Sequence, residues 1–178
     1  MEINKALKVE VEKSFSVSTD ELYNAWTNPG QLKQWWKPMG HPLQEVTNEI
    51  RKGGTVRYVF AGNKLIITGE YLDVKEKQEL VYTWNWELPE DPIRNAKYKL
   101  TVQFTPTGNG SKIHVIQDNF QDEETMLPHR EGWEKGLDEL EQFLAGNSPS
   151  EREEVQYTQN LMSEGYREDP EQEKVGGG

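Results

Sequence analysis

Three histidines, at positions 41, 114 and 129, are the side chains whose ordinary pKa lies nearest neutrality. No two of them stand at i, i+2 or i, i+4, the spacings that bring two imidazoles to one metal ion. His114 sits between Ile113 and Val115, so strand alternation points it to solvent. His129 precedes Glu131 and follows Asp122, Glu123 and Glu124. It reads as a surface histidine beside acids, with a metal or general-base role as the sharper alternative. No cysteine is present, which removes a thiol nucleophile, a disulfide scaffold and a thiolate metal site. The G-x-S-x-G, G-x-G-x-x-G and H-E-x-x-H patterns are also missing. TGNGSK, from Thr107 to Lys112, resembles a phosphate loop at a glance, but it falls between two strands where a hairpin accounts for its glycines. Glu70 runs with Thr68 and Leu72, and Arg57 with Thr55 and Val59; both phases look outward if Tyr58 and Tyr71 point in. No matched acid and base therefore faces inward, and neither a catalytic residue nor a metal or cofactor is expected.

The aromatic residues carry more information. Val56-Tyr58-Phe60, Leu80-Tyr82-Trp84-Trp86 and Tyr98-Leu100-Val102-Phe104 each place large side chains on one face of a strand. A filled core is one reading. A partly hollow core is the other, because Tyr and Trp have polar tips that need partners when buried, and pockets use that combination to orient ligands. Gln117, in phase with Ile113 and Val115, would supply such a partner. The candidate ligand-binding set is Trp36, Tyr58, Phe60, Tyr82, Trp84, Leu100, Val102, Gln117, Trp133 and Leu137.

The elements that must position these residues are legible. LKVEVEKSF, from Leu7 to Phe15, alternates apolar and charged residues as a half-buried strand does. Ser18-Thr-Asp-Glu21 is a capping box that opens a helix carrying Leu22, Ala25 and Trp26. Asn28 caps a second helix with Pro29 at its first position. That helix bears Leu32, Trp35 and Trp36 and stops at Pro38; Leu32 and Trp36 are expected inside and Trp35 at the rim. Six strand-like runs follow: Leu43 to Ile50, Thr55 to Ala61, Leu65 to Val74, Glu79 to Trp86, Tyr98 to Thr107 and Lys112 to Phe120. Tight turn signals separate most of them, so the sheet should be an antiparallel meander. Leu88 to Ala96, with two prolines, reads as a mobile loop. Trp133, Leu137, Leu140 and Leu144, joined by Phe143, form the apolar stripe of one long closing helix.

The chain has 178 residues and a net charge of −11, which argues against nucleic acid and anionic membrane surfaces. No apolar run approaches the roughly 20 residues of a membrane-spanning helix, and no signal-peptide centre is seen at the start; a cytoplasmic location is the expectation. Residues 146–178 hold eight acids against three bases, a net −5, and read as an acidic, disordered tail. A transient helix at 151–162 is conceivable through Val155, Leu161 and Met162.

The quoted motifs add a resemblance. VSTDELYNAWTNPGQLKQWWKP, GGTVRYVF, GEYLDVKEKQELVYTWNW, GNGSKIHVIQ and HREGWEKGLDELEQFL resemble the family related to the activator of the heat-shock protein 90 ATPase, in the START-like superfamily. The likeness covers about residues 5 to 145 and is that of a single-domain, bacterial-type member. It implies an α+β helix-grip fold over residues 1–145: a curved antiparallel sheet gripping the last helix, with two short helices after the first strand. It also implies an apolar cavity with Trp35 and Trp36 near one end and Trp84 and Trp133 lining or closing it. The expected function is a non-catalytic binding protein for a small hydrophobic or aromatic ligand. The alternatives are a chaperone-associated or stress-response regulator and, further off, a cyclase- or hydrolase-type enzyme of the same superfamily.

Overall fold

Alternation decides the sheet. In the strand running Gly110–Asp118, Ser111, Ile113, Val115 and Gln117 are buried while their neighbours are half-exposed, the period of two that a pleated strand imposes. The computed structural model describes residues 7–146, 171–173 and 176–177. Seven strands form one antiparallel sheet: β1 (Lys8–Phe15), β2 (Leu43–Asn48), β3 (Thr55–Phe60), β4 (Ile66–Lys75), β5 (Glu79–Glu87), β6 (Ala96–Thr107) and β7 (Gly110–Asp118), in the order β1-β7-β6-β5-β4-β3-β2. β2 to β7 are a meander of successive neighbours. β1 joins the far edge by pairing antiparallel with β7, Lys8 opposite Asp118 and Phe15 opposite Ser111.

Between β1 and β2 the chain crosses the sheet on two helices, α1 (Thr19–Thr27) and α2 (Pro29–Trp35). The capping box at the start of α1 is present in both directions: Glu21 N–H donates to Ser18 Oγ at 3.1 Å, and Ser18 N–H donates to Glu21 Oε1 at 3.3 Å. Asn28 Oδ1 accepts from Gln31 N–H at 3.0 Å ahead of Pro29, which opens α2. The long helix α3 (Met126–Gly146) follows the sheet, and Trp133, Leu137, Leu140 and Leu144 are its buried stripe. A curved antiparallel sheet with a long C-terminal helix and two short helices after the first strand is the helix-grip fold.

Two positions carry special backbone demands. A Cβ on Gly69 of β4 would lie 1.9 Å from the carbonyl oxygen of Thr83 on β5; only glycine lets the two strands meet there. The register of that pair shifts between Tyr71 and Asp73, a bulge that bends the strand. On β1, Lys13 falls in phase with the buried Val9, Val11 and Phe15, yet its ammonium reaches Asp138 and Glu141 of α3 at 3.0 and 3.2 Å. These acids hold its pKa above the usual lysine value, chiefly through the bond to Asp138.

Contacts divide the chain into two units, Met1–Glu141 and Gln142–Gly178. The first holds the seven-stranded sheet. In the second, α3 completes its course to Gly146, and β8 (Glu171–Glu173) pairs with β9 (Gly176–Gly177). The disordered tail expected at 146–178 falls mostly outside the described residues, and the helix considered at 151–162 falls wholly outside them. No helix among the described residues is long and apolar enough to cross a membrane.

The Leu88–Ala96 link is tied across its neck. Asn95 Oδ1 accepts from Leu88 N–H at 2.7 Å, and Pro92–Arg94 forms one 3-10 turn.

Candidate functional site

The interior is filled mostly by aromatic rings. Trp26 of α1 stacks on Trp133 of α3 with centroids 5.8 Å apart and planes at 17°. Trp133 lies 5.9 Å from Trp84 of β5, and Trp84 lies 5.6 Å from Trp36 at the end of α2. Trp36 meets Tyr58 and Phe60 of β3 edge-on at 5.0 and 5.2 Å, a preferred geometry for ring quadrupoles. Polar tips find partners inside this mass: Trp26 Nε1–H donates to Tyr82 Oη at 3.1 Å, and Trp133 Nε1–H donates to Gln117 Oε1 at 2.7 Å.

A cavity of about 210 Å³ opens beside this mass, where β5, β7, the end of α2 and the first turns of α3 converge. Its apolar walls include Trp36, Pro38, Trp84, Trp86, Pro128 and Trp133. Gly132 and Gly136 face it from α3, one turn apart, and a Cβ at either would meet no heavy atom within 4 Å. Missing side chains at two successive turns help leave the space. A smaller gap of about 10 Å³ beneath, between Trp26, Leu32, Trp35, Trp36, Tyr58 and Trp84, is too small for a ligand. Another depression, about 700 Å³, is an open groove bordered by Lys75, Lys77, Glu79 and Gln103, with Phe104 its single aromatic wall.

Gln117 and His129 form the polar floor. Trp133 donates to the Gln117 oxygen, so the Gln117 amide nitrogen turns toward His129 Nδ1, at 3.3 Å. That nitrogen must accept, which puts the proton of a neutral imidazole on Nε2, 3.4 Å from Tyr98 Oη. The His129 ring packs on Trp86, Tyr98 and Phe120 with centroids 4.7, 5.0 and 5.2 Å away. Desolvation by these rings lowers its pKa from 6.5 to about 4. The surface position expected for His129 is thus corrected: three aromatic residues distant in sequence enclose it, and the acids beside it in sequence make none of its hydrogen bonds. Tyr98 has its own pKa raised by burial. Trp86 Nε1–H is buried and has no hydrogen-bond partner, a donor whose desolvation is uncompensated within the protein.

The ten residues singled out from sequence divide in two. Trp36, Trp84, Gln117 and Trp133 border the cavity. Tyr58, Phe60, Tyr82, Leu100, Val102 and Leu137 are buried in the surrounding core and do not reach it. Trp35, expected at the rim, is only 3% exposed, and its Nε1–H donates to Ala25 O at 2.9 Å. The candidate set left out Trp86, although the sequence places it on the same face as Tyr82 and Trp84. It also passed over Arg94, Thr125 and Lys135, which border the cavity from a loop and a helix and carry no local signal.

Chemically, the site can bind and orient. Its imidazole is neutral, with one nitrogen committed to Gln117, and among the described residues no carboxylate makes a hydrogen bond to it. Among the described residues no group of three or more His, Cys, Asp or Glu could hold a metal ion. His114 lies on the opposite face of the sheet with Glu10 and Gln103 at 3.0 and 3.3 Å.

Solved structures share this architecture. A protein from Rhodobacter sphaeroides is 21% identical, aligning over 79% of this chain and 93% of its own, with a TM-score of 0.69. The AHSA1 protein of Silicibacter pomeroyi is 24% identical over 80% of this chain and 100% of its own, at a TM-score of 0.67. DynU16, from the dynemicin biosynthetic locus, is 19% identical over 80% of this chain and 49% of its own, at 0.64. At such identities the likeness is one of fold. No curated protein matches the chain. The sequence profile described as "Activator of Hsp90 ATPase homolog 1-like protein" matches residues 16–145, most of the length. The chain therefore belongs to the family of activator of Hsp90 ATPase homolog 1-like proteins.

Proposed function

We propose that this protein is a non-catalytic binding protein whose cavity holds a small hydrophobic or aromatic molecule. The observation that carries this reading is the pairing of aromatic walls with a buried, unpartnered donor at Trp86. Size limits the occupant. Dry cavities of about 150 Å³ accept benzene, so about 210 Å³ suits a ring system of one or two rings better than a sterol. Covering on the order of 200–300 Å² of such a ligand at about 25 cal/mol per Å² gives roughly 5–7 kcal/mol before association costs. With those costs subtracted, affinities no tighter than about ten micromolar follow.

The test is a titration with indole, 2-naphthol and a short-chain fatty acid, read by calorimetry and by indole N–H resonances in two-dimensional NMR. Saturable shifts centred on Trp36, Trp84, Trp86 and Trp133 are expected. An absence of saturation with every probe up to its solubility limit would sink the reading. A second reading, contact with a chaperone, draws on the family's name and on exposed Ile93 and Leu127, which adjoin the cavity-lining Arg94 and Pro128 in sequence. Stimulation of an Hsp90-type ATPase, lost on Leu127→Ser, is its assay; a flat response at large excess excludes it.

A further inference from the structure

The charges at the cavity mouth run against those of the chain. Overall there are 31 acids to 20 lysines and arginines. Around this opening, however, three cations, Lys37, Arg94 and Lys135, face one carboxylate, Glu139. The cations come from three separate places: the second residue past the end of α2, the 3-10 turn of the Leu88–Ala96 link, and the third turn of the closing helix. None of the three forms an ion pair with a carboxylate among the described residues, a state they share with Lys33, Lys52, Lys97, Lys99 and Arg130; what sets them apart is that they gather at one aromatic opening. Two acids near these segments are engaged elsewhere. Glu90 accepts from Lys64 Nζ at 2.9 Å, and the Asp122 carboxylate accepts from Thr125, which holds its pKa below the usual value.

We propose that the ligand of this cavity is a small aromatic carboxylate, its ring system against Trp36, Trp84 and Trp86 and its anionic group at the cationic mouth. This rests on the cavity-binding reading above and adds the charge of the occupant. A net-negative protein repels anions at long range, so a local excess of unpaired cations at an aromatic opening selects anions that also carry an apolar body. Arg94 supplies a planar fork suited to a carboxylate, while Lys37 and Lys135 act as point charges. The bare indole N–H of Trp86 provides one further donor for an acceptor that enters the cavity.

The experiment compares 2-naphthoate with its neutral counterpart 2-naphthalenemethanol by calorimetry on the full chain. Wild type is set against Arg94→Gln, Lys135→Gln and the double variant, with near-ultraviolet circular dichroism confirming that each is folded. Naphthoate should bind at least about tenfold more tightly than the alcohol, with each substitution removing about two- to fivefold of that preference. Raising salt from about 50 mM to about 500 mM should erode the preference, because screening acts on the charged probe alone. Equal binding of the two probes, or a preference that survives the double variant, overturns the charge assignment and leaves the cavity reading intact. If neither probe binds, both fall.

Discussion

Replacing His129 by phenylalanine isolates the energetic cost of holding an imidazole neutral. The ring would keep its packing on Trp86, Tyr98 and Phe120 and lose only its titration and two hydrogen bonds. In the folded protein His129 takes up a proton near pH 4, against 6.5 for the free side chain. The unfolded chain therefore binds that proton first as pH falls. The wild type loses stability from about pH 6.5 downward, and the loss levels off below about pH 4. At about 1.4 kcal/mol per pH unit the full gap amounts to roughly 3 kcal/mol, and partial solvent access at the cavity lowers this to about 2. Carboxylates with depressed pKa values, Glu10 and Asp122 among them, also lose stabilisation on acidification, but they do so in both proteins and cancel in the difference. The phenylalanine variant leaves Gln117 Nε2 and Tyr98 Oη short of a partner, a cost of about 1–3 kcal/mol that does not vary with pH over this range. Urea unfolding at pH 7, 6, 5 and 4.5 should thus show the variant less stable at neutrality and the two curves converging on acidification. Parallel curves would refute the half-buried, neutral assignment.

Trp36→Ala removes a ring 7% exposed that touches Tyr58, Phe60 and Trp84; a loss of about 3–5 kcal/mol is expected in urea melts, and a change below about 1 would show that the site collapses around the gap. Gln117→Leu keeps side-chain volume but leaves Trp133 Nε1 and His129 Nδ1 unpaired. It should cost about 1–3 kcal/mol and let the imidazole tautomer change, visible in its nitrogen chemical shifts; unaltered shifts would show that Gln117 does not orient the ring. Gly69→Ala sets a methyl against a backbone carbonyl at 1.9 Å, so β4 and β5 must part. Yield and thermal midpoint should both fall sharply, and a midpoint within a few degrees of wild type would contradict the close approach.

Strand phases, both helix caps and the closing helix were legible because each is written in neighbouring residues. Ser18 with Glu21 and Asn28 with Pro29 are local signals with local consequences. The inward face of β7 was legible to the residue, Gln117 included. Trp35 was misplaced because its partner, the Ala25 carbonyl, belongs to the preceding helix; which of two adjacent indoles finds a buried acceptor depends on how α1 and α2 cross. His129 was misread for the same reason, since the sequence displays its acidic neighbours and not the rings from β5 and β6 that enclose it. The position of the cavity was illegible because it is a remainder, set by which rings interlock and by the two glycines of α3 that leave the wall bare.

The placement of β1 has a consequence for how the chain folds. Six of the seven strands pair with sequence neighbours through short hairpins, whereas β1 must find β7 across more than a hundred residues, Lys8 opposite Asp118. Loop-closure entropy penalises that pairing until the meander exists to receive it. The edge strand, with α1 and α2 drawn across behind it, is therefore expected to dock last, and substitutions such as Val11→Ala should speed unfolding while leaving the folding rate nearly unchanged. A folding rate slowed in proportion to the stability lost would instead place β1 in the nucleus.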